Sequence, residues 1–213
     1  RGPDDFWSNI GLSEIEIYGE ESDIEAAENK NHVNAAGVTA EASTTEASSL
    51  PVSNIKDGNN QTRWASDYSE ASKQTVTVTF PKVTLVKELD FDLHTRDVAP
   101  MPSNVKSFDL VYADAAGTEH TVKISNAKST ESGKTGYVTN VQHIFETPVY
   151  MKSFKMTNFD LQIDIEGQNG YNNISILEVR AYSNDQSETP QGQTLDEVVA
   201  SIKGTKIAKD VNE

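Results

Sequence analysis

From residue 74 to residue 182, apolar and polar side chains alternate with a period of two, and Gly, Asn, Asp and Pro interrupt the alternation at roughly ten-residue spacing. A period of two belongs to strands with one buried face, because successive side chains of a strand point to opposite sides. Gln74, Thr75, Val76, Thr77, Val78, Thr79 and Phe80 show the pattern, and Phe108, Asp109, Leu110, Val111 and Tyr112 repeat it. Further short strands are predicted at residues 120–124, 142–145, 151–157 and 174–182. Short strands with no helical stretch between them argue for an all-β fold, an antiparallel β-sandwich or barrel.

Charge divides the chain. Residues 1–32 carry nine acids against two bases, the middle is close to balance, and the whole chain is at −15. The balanced middle, residues 33–182, is the expected folded domain. The acidic stretch of residues 19–32 reads as a linker. Before it, residues 9–18 echo residues 173–182: Asn9, Ile10, Glu14 and Tyr18 match Asn173, Ile174, Glu178 and Tyr182 in register, so that Asn, Ile, Glu and Tyr recur. That segment is either a strand of this domain or the closing strand of a preceding, similar module. Beyond Tyr182, residues 183–193 are polar and linker-like. Thr194, Leu195, Asp196 and Glu197 then form a capping box for a short C-terminal helix that Gly204 would stop, leading into a further domain.

Several classes of function are excluded by composition. No run of Lys or Arg exceeds two, so the clustered cations of a nucleic-acid groove are missing. No run of about 18 apolar residues exists for membrane insertion. With no cysteine there is no disulfide, thiolate metal site or thiol nucleophile. The chain begins at Arg1 with no leader, and reads as a piece of a longer polypeptide.

The most informative run is residues 51–66, PVSNIKDGNNQTRWAS, followed by LHTRD from Leu93, SNVKSFDLVYA from Ser103 and ISILEVRAY from Ile174. Asp57, Asn59 and Thr62 place three side-chain oxygens in one tight turn that Gly58 permits, and a backbone carbonyl at Asn54 can join them. By residue chemistry alone this is either a hard-oxygen cation cage or an Asx-type turn without metal, in which Asp57 bonds backbone amides. Trp64, just after the turn, is expected in the core.

Taken together these segments resemble the discoidin family, the coagulation factor V/VIII type C domains, and among bacterial proteins the family 32 carbohydrate-binding modules. The resemblance covers residues 33–182 and implies a jelly-roll sandwich of the galactose-binding-domain type. It implies structural calcium held by Asn54, Asp57, Asn59, Thr62 and Glu178, stapling first and last strands together. It also implies sugar binding by loops at one end of the sandwich. Arg96 and Asn104 match the family's sugar-contacting Arg and Asn, and Tyr171 its aromatic platform, with His94 and Tyr68 as further candidates. Ala65 departs from the pattern, since galactose-binding members often carry His there.

Each of these residues also has a plain structural role open to it: Arg96 as an ion pair with Asp97, Tyr171 as a turn residue, His94 as a strand residue. His32, His120 and His143 have no metal-ligand spacing. No nucleophile elbow, zinc-protease helix or phosphate loop is present. Asp160, Asp164 and Glu166 alternate with Phe159, Leu161, Ile163 and Ile165, which is expected to place the acids on the solvent face of a strand. The expectation is a non-catalytic module of a secreted, multidomain bacterial glycan-active protein, extracellular or at the cell surface. Its expected ligands are glycans ending in galactose or N-acetylgalactosamine, and its other partners are the neighbouring domains of the same polypeptide. An adhesion or protein-binding domain and a ligand-free spacer are the alternatives.

Overall fold

The computed structural model describes residues 30–95, 103–129, 137–165, 168–169 and 171–184. Residues 1–29 and most of the tail, with the expected echo strand and C-terminal helix, lie outside the described residues. The strands are β1 (Thr39–Ala42), β2 (Trp64–Ala65), β3 (Val76–His94), β4 (Asn104–Asp114), β5 (Glu119–Ser125), β6 (Val138–Gln162), β7 (Asp164–Ile165), β8 (Gln168–Asn169) and β9 (Ser175–Tyr182). Every described pairing is antiparallel, and the hydrogen-bonded path runs β2-β9-β3-β6-β4-β5, with β1 on β3.

Two long strands turn this path into a sandwich. The first part of β3 pairs with β1 and the second half of β6; its later part pairs with β9 and the first half of β6. Its register breaks between Thr79 and Thr84, where Pro81 brings no N–H to the ladder. A second break lies opposite Lys87: Val86 pairs with Val149 but Glu88 with Ile144, so residues 145–148 bulge, and Lys87 Nζ donates to Glu146 O at 3.0 Å. The sequence reading expected separate short strands, among them residues 74–80, 142–145 and 151–157. The structure bends two continuous strands instead, because a bulge lets a strand change sheet without leaving the ladder.

Between the layers lies a chain of phenylalanines. Phe91 meets Phe108 at 5.0 Å and Phe154 at 6.5 Å between centroids, and Phe80 meets Phe154 at 6.0 Å. Val76, Val78, Leu89, Leu93, Ile176 and Val179 fill the rest from alternate positions, as the period-two pattern requires. Trp64 is fully buried, as expected, and its indole N–H donates to Thr44 O at 3.1 Å. The expected apolar stripe at the end of β6 holds for Phe159, which is buried, but not for Ile163, which is exposed. The strand ends at Gln162, so Ile163 lies past the sandwich core. Asp160 sits on the outside and pairs with Lys106 at 3.3 Å; Glu166 lies outside the described residues.

Candidate functional site

Two loop systems concentrate polar chemistry. The first is the turn after the 3-10 helix Val52–Lys56. Gly58 adopts φ +74°, the left-handed conformation the sequence reading required, and a Cβ there would also meet Asn34 Nδ2 at 3.0 Å. Asn54 closes the base of the loop, its Nδ2 donating to Arg63 O at 2.8 Å. Thr62 Oγ1 lies 2.7 Å from Asp57 Oδ2 and 2.8 Å from Asn59 O, so its one proton serves one of them at a time.

The decisive contact joins the ends of the domain. The Asn59 amide is shared between Asp57 Oδ1 at 2.8 Å and Glu178 Oε1 at 3.0 Å, so two carboxylates 121 positions apart converge on one N–H. Glu178 is only 3% exposed, and its Oε2 is buried with no hydrogen-bond partner. Burial, reinforced by the hydrogen bond and charge of Asp57, pushes the Glu178 carboxyl up to about 7. For Asp57 partial desolvation acts in the same direction, but hydrogen bonds from Thr62 and the Asn59 amide outweigh it and hold that carboxyl below its ordinary value. Arg180, which borders the same cleft, is committed elsewhere, to Asp92 through two bonds of 2.7 and 2.9 Å and to Asp90 at 3.6 Å.

The turn thus makes the Asx-type bonds of the metal-free alternative, and beside them leaves an orphaned carboxylate oxygen that no Asx turn explains. All the candidate donors are oxygens, the chemistry of a hard cation. No group of three or more His, Cys, Asp and Glu gathers among the described residues, so amide, hydroxyl and carbonyl oxygens would have to complete a shell around the Asp57–Glu178 pair. Asn31, Asn34, Gly58, Asn59, Glu178 and Arg180 border a cleft of about 560 Å³ through which an ion would reach it.

The second system lies where β2 ends and β9 begins. The Ser66 amide donates to Ile174 O at 3.0 Å and the Ile174 amide to Ser66 Oγ at 2.9 Å, which pins the loop after Trp64 against the loop before β9. This brings Tyr68 beside Tyr171, with ring centroids 5.5 Å apart and planes inclined by 57°. Tyr68 is 49% exposed and Tyr171 half-buried, so the pair presents aromatic surface to solvent. Glu46 anchors it: Oε1 accepts from the Tyr68 hydroxyl at 2.8 Å and Oε2 from Asn173 Nδ2 at 3.3 Å. Glu46 escaped the sequence reading because nothing in a polar run of Ser, Thr and Ala singles it out.

The remaining sugar-site candidates lie deeper. Asn104 is buried, its Nδ2 donating to Thr139 Oγ1 at 3.4 Å and its Oδ1 accepting from the Val105 amide at 2.8 Å. His94 is buried at the end of β3 with Nδ1 3.3 Å from Ser175 Oγ. Arg96 lies outside the described residues. Of the five sugar-site candidates the structure therefore brings Tyr68 and Tyr171 together at the surface and sets Asn104 and His94 beneath it.

The sequence profile of the F5/8 type C domain matches residues 39–179, two thirds of the chain and nearly all of the sandwich. The chain belongs to the F5/8 type C domain family. Among solved structures this F5/8 type C domain is similar to the family 32 carbohydrate-binding module of Clostridium perfringens NanJ, solved with galactose: 21% identity, TM-score 0.49, 68% of this chain and 93% of that one. It is similar also to chitosan-binding module 1 of a Paenibacillus sp. IK-5 chitosanase/glucanase, with 21% identity, TM-score 0.49 and coverage of 72% and 99%. A third is the family 32 module of AlyQ, solved with 4,5-unsaturated mannuronic acid, with 19% identity, TM-score 0.45 and coverage of 68% and 95%. No curated protein matches the chain significantly.

Proposed function

We propose that this domain is a non-catalytic carbohydrate-binding module whose sugar site is the loop end carrying Tyr68 and Tyr171. The observation that supports this is the exposed tyrosine pair, cross-braced by Glu46 and Asn173. An aromatic ring offers a sugar's apolar C–H face a flat partner, and bracing removes the rotamer entropy that binding would otherwise cost. A carboxylate has about four acceptor positions, so Glu46 can also accept from sugar hydroxyls while holding Tyr68. Galactose and N-acetylgalactosamine are the first ligands to try, because the family resemblance matches Arg96, Asn104 and Tyr171 to sugar-contacting residues. The module would act by targeting, as part of a secreted bacterial glycan-active protein, with weak affinity per site raised by neighbouring modules.

Calcium belongs to the same proposal. Asp57 and Glu178, with oxygens of Asn54, Asn59 and Thr62, would hold the ion, and the orphaned Oε2 of Glu178 supports the assignment. Its charge would neutralise the facing carboxylates and tie the turn to β9.

A glycan array probed with the chain in calcium tests the sugar reading. Binding to terminal galactosides that is lost in Tyr68→Ala and Tyr171→Ala is the expected result. Silence of a folded, calcium-loaded protein across the array would overturn it and move a protein ligand into first place.

A further inference from the structure

A cavity of about 460 Å³ opens at the far end of β9, where Ser183 borders it. The eight residues of β9 put it on the order of 25 Å from the tyrosine pair. The bend in β3 forms it. Between Thr79 and Thr84 the ladder to β6 is interrupted around Pro81, and Gly37, at φ +83°, brings the loop before β1 down on that proline, so that a Cβ there would meet Pro81 Cβ at 3.3 Å. Phe80, Val83, Leu85 and Tyr150 line the opening that results. Phe80 is buried, whereas Tyr150 is 59% and Val83 43% exposed, so the apolar lining runs from the core out to solvent.

The polar groups around this lining are Lys30, His32, Lys82, Thr84 and Ser183, and no Asp or Glu among the described residues borders it. In a chain at −15 that is a local reversal of sign. One wall is fixed in place: His32 Nε2 lies 2.7 Å from Ser183 Oγ, which donates to Leu85 O at 3.0 Å. Burial, and after it the charges of Lys30 and Lys82, hold the His32 imidazole below its ordinary value. Both lysines thus impose a positive potential on that wall, which disfavours a further proton and favours an anion. At physiological salt the field of distant acids is screened over roughly 8 Å, so these local cations decide what the cavity attracts.

We propose that the cavity is a second binding site, for a carboxylated sugar, with the carboxylate held towards Lys30 and Lys82 and an apolar C–H face laid against Tyr150 and Val83. Small-ligand sites are typically clefts of about 300–1,000 Å³, lined by apolar side chains with a few convergent polar groups. A wholly apolar acid fits less well, because with Tyr150 and Val83 open to solvent one face of the ligand stays in water, where a sugar keeps its hydroxyls hydrated. The site is separate from the Tyr68–Tyr171 rim and does not rest on the reading of that rim.

The test is a titration of the isotope-labelled full chain in calcium, followed by amide chemical shifts, with galacturonate, glucuronate and N-acetylneuraminate, and with galactose and glucose as neutral controls. At least one acidic sugar is expected to move the amides of His32, Val83, Leu85 and Tyr150 saturably, more tightly than either neutral sugar and less tightly in high salt. Replacing both lysines, Lys30→Gln with Lys82→Gln, should weaken that binding roughly tenfold or more. Tyr150→Ala should weaken it as well, and Tyr171→Ala should leave it unchanged. Tyr150→Leu, which keeps apolar bulk without the ring, serves if the alanine variant melts early. Acidic sugars that move only amides around Tyr171, an affinity indifferent to the two lysines, or no saturable shift with any of the three overturns the second site. Galactose shifts around Tyr171, read in the same spectra, judge the rim separately.

Discussion

The turn at Asp57–Thr62 and the rim at Tyr68–Tyr171 are both loop structures tied to β9, yet they differ in where their free energy goes. The turn is closed: its carboxylates face each other and an inner amide, and Glu178 is nearly inaccessible. The rim is open: its aromatic surface faces water and its bracing bonds hold that surface in place. A closed cluster of like charges can only act on the stability of the fold, by what neutralises it. An open, braced platform can only act on what approaches from outside. Stability and recognition are therefore expected to separate between the two regions, and four experiments can break or sharpen that separation.

The largest effect should come from the turn. Calcium at a hundredfold excess over its dissociation constant should stabilise the protein by about 2.7 kcal/mol, read as a shift in melting temperature against chelator. Asp57→Ala should abolish the shift. A chelator that removes sugar binding from a protein that stays folded would show that the two regions are one functional unit.

Next is the pH dependence of the same effect. Because the folded-state carboxyl of Glu178 lies at about 7, above its ordinary value, its contribution to metal-free stability is present in full below about pH 4.5 and lost as pH rises through 7. Asp57, held low, stays ionised over that window, and its charge opposes the ionisation of Glu178. Calcium needs the deprotonated carboxylate, so melting curves with calcium and with chelator should converge near pH 5 and diverge by pH 8. Parallel curves across that range would remove Glu178 from the metal site.

At the rim, Tyr171→Ala should weaken glycan binding tenfold or more, about 1.4 kcal/mol, with the calcium-loaded melting temperature moved by only a few degrees. A large loss of stability would make the tyrosine pair a packing element, and the contrast between the regions would fail. The smallest effect is expected from Glu46→Gln. It keeps an acceptor for Tyr68 but loses the charge that strengthens it, which should cost on the order of 1 kcal/mol in binding. Calorimetry that finds no change would leave Glu46 as scaffold only.

The two regions also differ in how far they could be read beforehand. The turn is local: Asp57, Gly58, Asn59 and Thr62 lie within six residues, the left-handed glycine follows from backbone sterics, and only Glu178 had to come from afar. The rim has no such local core. Tyr68, Tyr171, Glu46 and Asn173 come from three separate stretches of chain, and each by itself is an ordinary polar or aromatic residue in a loop. Asn104 and His94, read as site residues from their positions, have internal hydrogen bonds that only the packed strands reveal.

Within the fold the same division holds. Alternation of apolar residues determined that this chain forms strands and which of their faces is buried, because strand side chains alternate by covalent geometry whatever they pair with; the bulk of Trp64 was enough to place it in the core. Strand order, the bending of β3 and β6 from one layer to the other, and the meeting of four strand ends at one rim were decided only by tertiary structure. Those features depend on which edges satisfy one another's hydrogen bonds and which side chains fit across the layers, and such choices are made between residues far apart in the chain.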